Sequence, residues 1–244
     1  RVIDSAGNIT TLVEAQSTII SLEVDGMGNV FFSSGGLIHK RDQSGTVTVV
    51  AGTLTFNRDT DNVRATEAFL GGTDAPLKIA VDEAGNIYIA SGRDIWCWKV
   101  EAATGLIKVL VGNAGRGDSG DGGPASEAQI NLAKDVAVDR VGNVYIADHN
   151  SHRERRVDAI TGIISTVAGT GASGSGGDGG PAVSAMLNFP RSLHVDGSDD
   201  LYIIDQVGIR RVDAAGSLSN LLEMHSFGFA GDGGPASEAA FNFS

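Results

Sequence analysis

Glu23 and His194 are the residues of this chain whose placement most invites chemistry. Each stands one position before a Val-Asp dipeptide, in a column that holds Ala80 and Ala137 in the other two copies of that phrase. A carboxylate and an imidazole in a column built for alanine are placed to meet across a shared space, as metal ligands or as a general acid–base pair. The plainer alternative is that each is paired or solvated at a wall. The five histidines, His39, His149, His152, His194 and His225, form neither His-x-x-x-His nor His-Glu-x-x-His, the spacings that place zinc ligands on one helix face. His149 with His152 is the one close pair. No Gly-x-Ser-x-Gly elbow and no ordered Ser/His/Asp set occurs. The glycine loops around Asp118–Gly122 and Gly176–Gly179 look like calcium loops but lack the EF-hand spacing and its closing Glu. Turn formation explains them better. With no Gly-Lys-Ser/Thr, they are not phosphate cradles. The expectation is therefore no catalytic set, no metal and no cofactor.

The elements that hold these residues come from a repeat. Val24-Asp25, Val81-Asp82, Val138-Asp139 and Val195-Asp196 are spaced 57 residues apart, and each opens a similar phrase: VDGMGNVFF, VDEAGNIYI, VDRVGNVYI, VDGSDDLYI. A fixed period of this size marks a repeat architecture. Apolar residues alternate before each dipeptide (Leu22 and Val24, Ile79 and Val81), which is the period of a strand. A Gly/Asn/Asp turn follows, then a second strand such as Ile87–Ala90 or Val144–Ala147. A third strand ends Arg-Val-Asp (Arg156–Asp158, Arg211–Asp213), and a fourth runs as Ile163–Gly169. Four antiparallel strands per repeat, joined by a linker, describe a propeller blade. Between blades the phrase Gly120-Asp121-Gly122-Gly123-Pro124-Ala125 returns as Gly177–Ala182 and Gly231–Ala236, and decays to Arg64–Leu70 in the second repeat. Its proline is suited to start a short helical turn. Trp96-Cys97-Trp98 replaces Arg153-Glu154-Arg155, with both indoles on one strand face. Packing between blades and an aromatic ledge for sugar or peptide are its two readings.

Composition fits this picture. The chain has 244 residues, 34 of them Gly and 5 Pro, and is 41% hydrophobic. That is turn-rich and too apolar for disorder. The net charge of −12 argues against nucleic acid, which rewards clustered Lys and Arg. Cys97 is the single cysteine, so an intrachain disulfide and a cysteine zinc site are excluded. No stretch approaches 18 apolar residues. Asn8-Ile9-Thr10 and Asn242-Phe243-Ser244 are glycosylation sequons.

The run from Gly120 to Gly171, with Ala-Val-Asp, Gly-Asn-Val-Tyr-Ile-Ala-Asp, Arg-Val-Asp and Thr-Val-Ala-Gly in order, resembles NHL-repeat β-propellers, in particular a long-linker subgroup found in secreted or cell-surface proteins. The resemblance covers nearly the whole chain and implies an all-β propeller of four-stranded blades. It is specific for fold and weak for function, since the family spans binding platforms, sensor domains and a few lyases. The lyases carry zinc on channel-facing histidines from several blades. Only His194 falls on an inner strand here, so that set does not carry over. His152-Arg153 matches the family's Asn-His-Arg turn, a scaffold position.

The expected organisation is one propeller segment over residues 1–244. It comprises a partial blade at 1–17, blades at 18–56, 75–113, 132–170 and 189–223, and a linker into a further blade at 228–244. The ring is expected to be six-bladed and this chain a piece of it or of a longer multidomain protein, with a complete five-bladed ring as the alternative. Positions that vary between repeats on a constant strand are where specificity is expected: Ile20, Ser21, Leu77, Lys78, Lys134, Asp135, Arg191 and Ser192 at the channel rim, with Glu23 and His194. The expected function is a non-catalytic extracellular or cell-surface platform for another protein or a glycan, acting through the rim and the linker face. A channel lyase or hydrolase with a metal, and a sensor domain of a membrane-anchored receptor or kinase, are the alternatives.

Overall fold

The computed structural model describes residues 2–3, 8–11, 17–56, 61–112 and 115–223. The expected linker over 228–244, and His225, lie outside them. Four antiparallel four-stranded sheets follow one another along the chain in a propeller arrangement. Blade I comprises Ile19–Val24, Val30–Ser34, Leu37–Arg41 and Val47–Ala51. Blade II comprises Lys78–Val81, Ile87–Ala90, Cys97–Val100 and Leu106–Val111, with Val63–Arg64 of the preceding linker added to its outer edge. Ala133–Val138, Val144–Asp148, Arg153–Val157 and Ile164–Ala168 form blade III. Ser192–Val195, Leu201–Ile204, Gly208–Val212 and Leu218–Glu223 form blade IV. Ahead of them, Val2–Ile3 pairs with Ile9–Thr10. The all-β expectation holds.

The Val-Asp beat is turn chemistry. In blade III the Asp139 carboxylate accepts the Asn143 backbone N–H at 2.8 Å and the Asn143 side-chain amide at 2.7 Å, closing the first hairpin. Asp25 with Asn29 and Asp82 with Asn86 repeat the pair. The residue before the asparagine must take positive φ, and Gly28, Gly85 and Gly142 do so at 79°, 81° and 89°. Blade IV departs: Asp199 holds that conformation at φ 64°. Asp200 stands in the asparagine's place and binds the Arg211 guanidinium instead.

Strand alternation turns one face of each blade to the blade before it and the other to the blade after. Three apolar cores result, between I and II, II and III, and III and IV. A single blade could not bury both faces, so stability comes from the stack. Leu22 and Val24, on the face of blade I that looks away from blade II, are 48% and 55% exposed, while Leu193 and Val195 in blade IV are 7% and 9%. Their cross-strand partners on the same face, Phe32 and Val30, are buried, at 3% and 8%.

Linkers staple neighbouring blades. Each carries a three-residue 3-10 turn, at Ala65–Glu67, Ala125–Glu127 and Ala182–Ser184. The first alanine of each is buried. The Ala182 carbonyl accepts Gly169 N–H at the end of blade III, and Ala182 N–H donates to Gly216 O in the outer turn of blade IV. Ala65 does the same between Gly52 and Gly105.

Candidate functional site

The inner strands of the four blades border a cavity of about 420 Å³ along the propeller axis. Counting back from each Val-Asp aspartate, alternation aims the second and fourth positions at the following blade and the third and fifth at the preceding one. Parity alone does not decide which of the ten expected rim residues border the cavity, since Ile20, in the fifth position, does so. Ile20, Ser21, Glu23, Lys78, Asp135, Ser192 and His194 line the cavity. Leu77 does not. It is fully buried in the core between blades I and II, because its strand position faces back into that interface. Lys134 and Arg191 point the same way in their own blades, stay half-buried, and are outside the cavity wall.

The fourth-position column, Ser21, Lys78, Asp135 and Ser192, is an interblade ladder. Ser21 Oγ in blade I accepts the Ile79 backbone N–H of blade II at 3.3 Å. Asp135 Oδ2 in blade III accepts the Leu193 N–H of blade IV at 3.2 Å and the Ser192 hydroxyl at 2.7 Å. Lys78 has no acceptor to offer blade III. There Asp135 Oδ1 turns back to its own neighbour, accepting Val136 N–H at 2.9 Å. Lys78 Nζ reaches the Ile20 carbonyl at 3.4 Å instead. These residues hold blades in register as well as facing the cavity.

Burial pushes the Glu23 carboxyl up to about 7, and the Asp135 charge adds to it. Asp135 is itself raised by burial, against the hydrogen bonds from Ser192 and Val136 and the Lys78 charge. Glu23 and His194 border the same cavity without a hydrogen bond or ion pair between them. Glu23 is aimed at blade II. His194 is aimed away from blade III and stays exposed. Among the described residues no three His, Cys, Asp or Glu side chains stand close enough to hold a metal ion. His149 Nδ1 bonds the Pro190 carbonyl at 2.8 Å, and His152 Nδ1 accepts Phe189 N–H at 3.2 Å. Both rings rest on Phe189. They fasten the linker entering blade IV.

Sequence reasoning missed what the glycine-loop aspartates do. Arg155 of blade III is fully buried, and its guanidinium meets Asp121 at 2.6 Å and Asp148 at 3.5 Å. It also donates to the carbonyls of Asp118, Ser119 and Gln129. In blade IV the fully buried Arg210 holds the carbonyls of Met186 and Ser175 at 2.6 Å, with Asp178 at 3.8 Å. The linker is thus clamped onto its blade by an arginine that ties up its carbonyls. The signal was present in the repeat: Gly-Asp-Gly-Gly and the third-strand arginine occur together.

In blade II the arginine is replaced by Trp98, and the clamp gives way to a second cavity of about 340 Å³. Phe56, Phe69, Trp96 and Trp98 line it, with Ser91, Arg93 and Asp94.

No protein-family model matches this sequence, and no curated protein does. Solved structures do match in fold. A protein of unknown function from Bacteroides thetaiotaomicron is 21% identical with a TM-score of 0.61, over 79% of this chain and 46% of that one. An auxiliary nutrient binding protein from the same organism is 17% identical with a TM-score of 0.61, over 84% and 50%. The virginiamycin B lyase of Staphylococcus aureus is 14% identical with a TM-score of 0.55, over 92% and 62%. The chain spans about half to three fifths of the length of these structures. At such identities the likeness establishes the propeller architecture, the class to which the blades and the axial cavity belong. No helix among the described residues is long and apolar enough to cross a membrane.

Proposed function

We propose that this chain is part of a non-catalytic binding platform, working outside the cell or at its surface, that receives another protein or a glycan at the channel mouth and along the linkers. One observation carries the reading. The axial cavity sets polar side chains that differ from blade to blade (Ser21, Glu23, Lys78, Asp135, Ser192, His194) on a backbone frame that does not. Variation on a rigid frame is the arrangement that binding specificity uses. The net charge of −12 suits a partner with basic groups. A nutrient binding protein among the structural neighbours fits a platform, while a lyase there shows that the architecture also hosts chemistry. A lyase or hydrolase reading would need Glu23 and His194 to act together, and no hydrogen bond or ion pair joins them across the cavity they both border. The NHL resemblance and the exposure of Leu22 and Val24 on blade I fit a larger ring with further blades beyond the four described.

The test is selection of binders on the immobilised protein from a displayed peptide library and a glycan array. Glu23→Lys, Lys78→Glu and His194→Ala should each weaken the selected binders while circular dichroism shows the fold retained. Binders indifferent to all three substitutions, or stoichiometric zinc or calcium in the purified protein, would overturn the reading.

A further inference from the structure

The second cavity lies where blade II lacks the linker clamp. In blade III, Asp121 serves twice: Oδ2 accepts Thr166 N–H on the outer strand at 3.1 Å, and Oδ1 binds Arg155. Blade II keeps the aspartate, since Asp61 accepts Val109 N–H at 2.8 Å from the same strand position. Only the arginine is gone. Trp98 takes its place, and Trp96 takes that of Arg153, which in blade III ties the linker through Asp118 and Thr170. An indole cannot gather three carbonyls, so the clamp of blades III and IV has no counterpart at Trp98.

What remains is an open aromatic box with a polar rim. Phe56 and Phe69 meet edge to face at 5.3 Å between centroids. Trp98 is 4% exposed, and its Nε1–H is buried without an acceptor. An orphaned buried donor of this kind calls for a ligand oxygen. At the rim Arg93 and Asp94 are exposed; Asp94 Oδ1 accepts the Ile95 backbone N–H at 3.0 Å and meets Arg116 at 4.0 Å, which leaves Oδ2 for a ligand. The volume of about 340 Å³ falls within the range of roughly 300–1,000 Å³ found for small-molecule sites.

We propose that this box binds one sugar ring of a glycan. The apolar C–H face of a pyranose packs on indole and phenyl faces, and its edge carries hydroxyls. One hydroxyl oxygen would accept the Trp98 N–H. Others would donate to the Asp94 carboxylate and accept from the Arg93 guanidinium. An aromatic peptide side chain would fill the same space but leave those rim groups idle. The proposal deepens the platform reading by giving it a ligand class and a place apart from the axial cavity. It rests on that reading only in treating the ligand as bound rather than transformed.

The chain contains two tryptophans, both in this box, so indole fluorescence excited at the red edge of its band reports the site alone. The probes are maltohexaose, cellohexaose, mannohexaose, xylohexaose, laminarihexaose and chitohexaose, titrated into the intact protein. At least one should shift the emission to saturation. Trp96→Ala should weaken that binding about tenfold or more, the worth of one stacked ring. Trp98→Arg restores the residue that Asp61 lacks. It should keep the fold by circular dichroism and abolish binding, followed for this variant by calorimetry. Glu23→Lys and Lys78→Glu in the axial cavity should leave sugar binding intact, so failure here and failure of the channel reading are separable. The proposal falls if no hexasaccharide shifts the emission, if binding survives Trp98→Arg, or if a tyrosine-bearing peptide binds the box and no sugar does.

Discussion

Replacing Glu154 with isoleucine should stabilise this protein, and more so as pH rises. Glu154 is the second residue of the third strand of blade III, fully buried, with neither carboxyl oxygen hydrogen-bonded. The same register position holds Ile38, Cys97 and Ile209 in the other blades. Burial pushes its carboxyl well above the usual carboxylate range, and the charges of Asp135, Asp148 and Asp205 push further. It is therefore held as the neutral acid. Leaving such a group buried and unpaired costs about 1–3 kcal/mol, and isoleucine fills a similar volume without that cost. For a chain of this size the melting temperature rises about 2–4 °C per kcal/mol, so Glu154→Ile should gain about 2–12 °C near pH 5. The sign with pH follows from proton linkage. Above the ordinary carboxylate pKa the unfolded chain releases a proton that the folded protein keeps. Wild-type stability therefore falls as pH rises through that window until the folded pKa is reached. The variant lacks this slope, so its advantage should widen between pH 5 and pH 8. Glu154→Gln should remove the slope while keeping most of the burial cost. Thermal unfolding followed by circular dichroism at both pH values measures all three proteins. Equal or lower stability of Glu154→Ile, or an advantage that does not grow with pH, would refute the reasoning.

Arg155→Ala should destabilise by about 3–5 kcal/mol in chemical denaturation, because it strands Asp148 in a dry site and frees three linker carbonyls; a loss under 1 kcal/mol would show that the clamp is not structural. Asp199→Gly should stabilise by about 1 kcal/mol by relieving a side chain at positive φ, read as a higher midpoint in urea. Asp135→Asn should lower the Glu23 pKa in a carboxyl NMR titration yet leave it above the usual carboxylate range, since burial is the larger cause; an unmoved Glu23 would show that the two groups do not sense each other. Because Cys97 is fully buried and its thiol is pushed up by burial, it should resist maleimide in the native protein and react in urea.

The sequence was most legible where structure is local. Val-Asp reads as a strand and turn because Asp139 and Asn143 solve their hydrogen bonding within four residues. Trp96 and Trp98 stood out for the same reason, as a break in a column that alternation makes visible. The linker clamp was hidden because Arg155 and Asp121 are 34 residues apart and meet only when the linker folds back over its own blade. Leu77 was misjudged for a subtler reason. A position near the channel is not a position facing it: Leu77 packs back against blade I, while Ile20, at the same place in blade I, borders the cavity.

The linker alanines bear on how such a chain can be cut and multiplied. Ala182 is bonded to the end of one blade and to the outer turn of the next, and Pro181 bridges Ser217 on that next blade. The cooperative unit is therefore a linker with the blade that follows it, offset from the Val-Asp period by which the repeat announces itself. Splicing a copy in or out at the Val-Asp dipeptide would sever a hairpin. A junction just after Gly52, Gly112 or Gly169 would move one sheet together with its own fastening. Gene duplication that lengthens such a ring, or an engineer who grafts the aromatic box of blade II into another propeller, would do best to respect that frame.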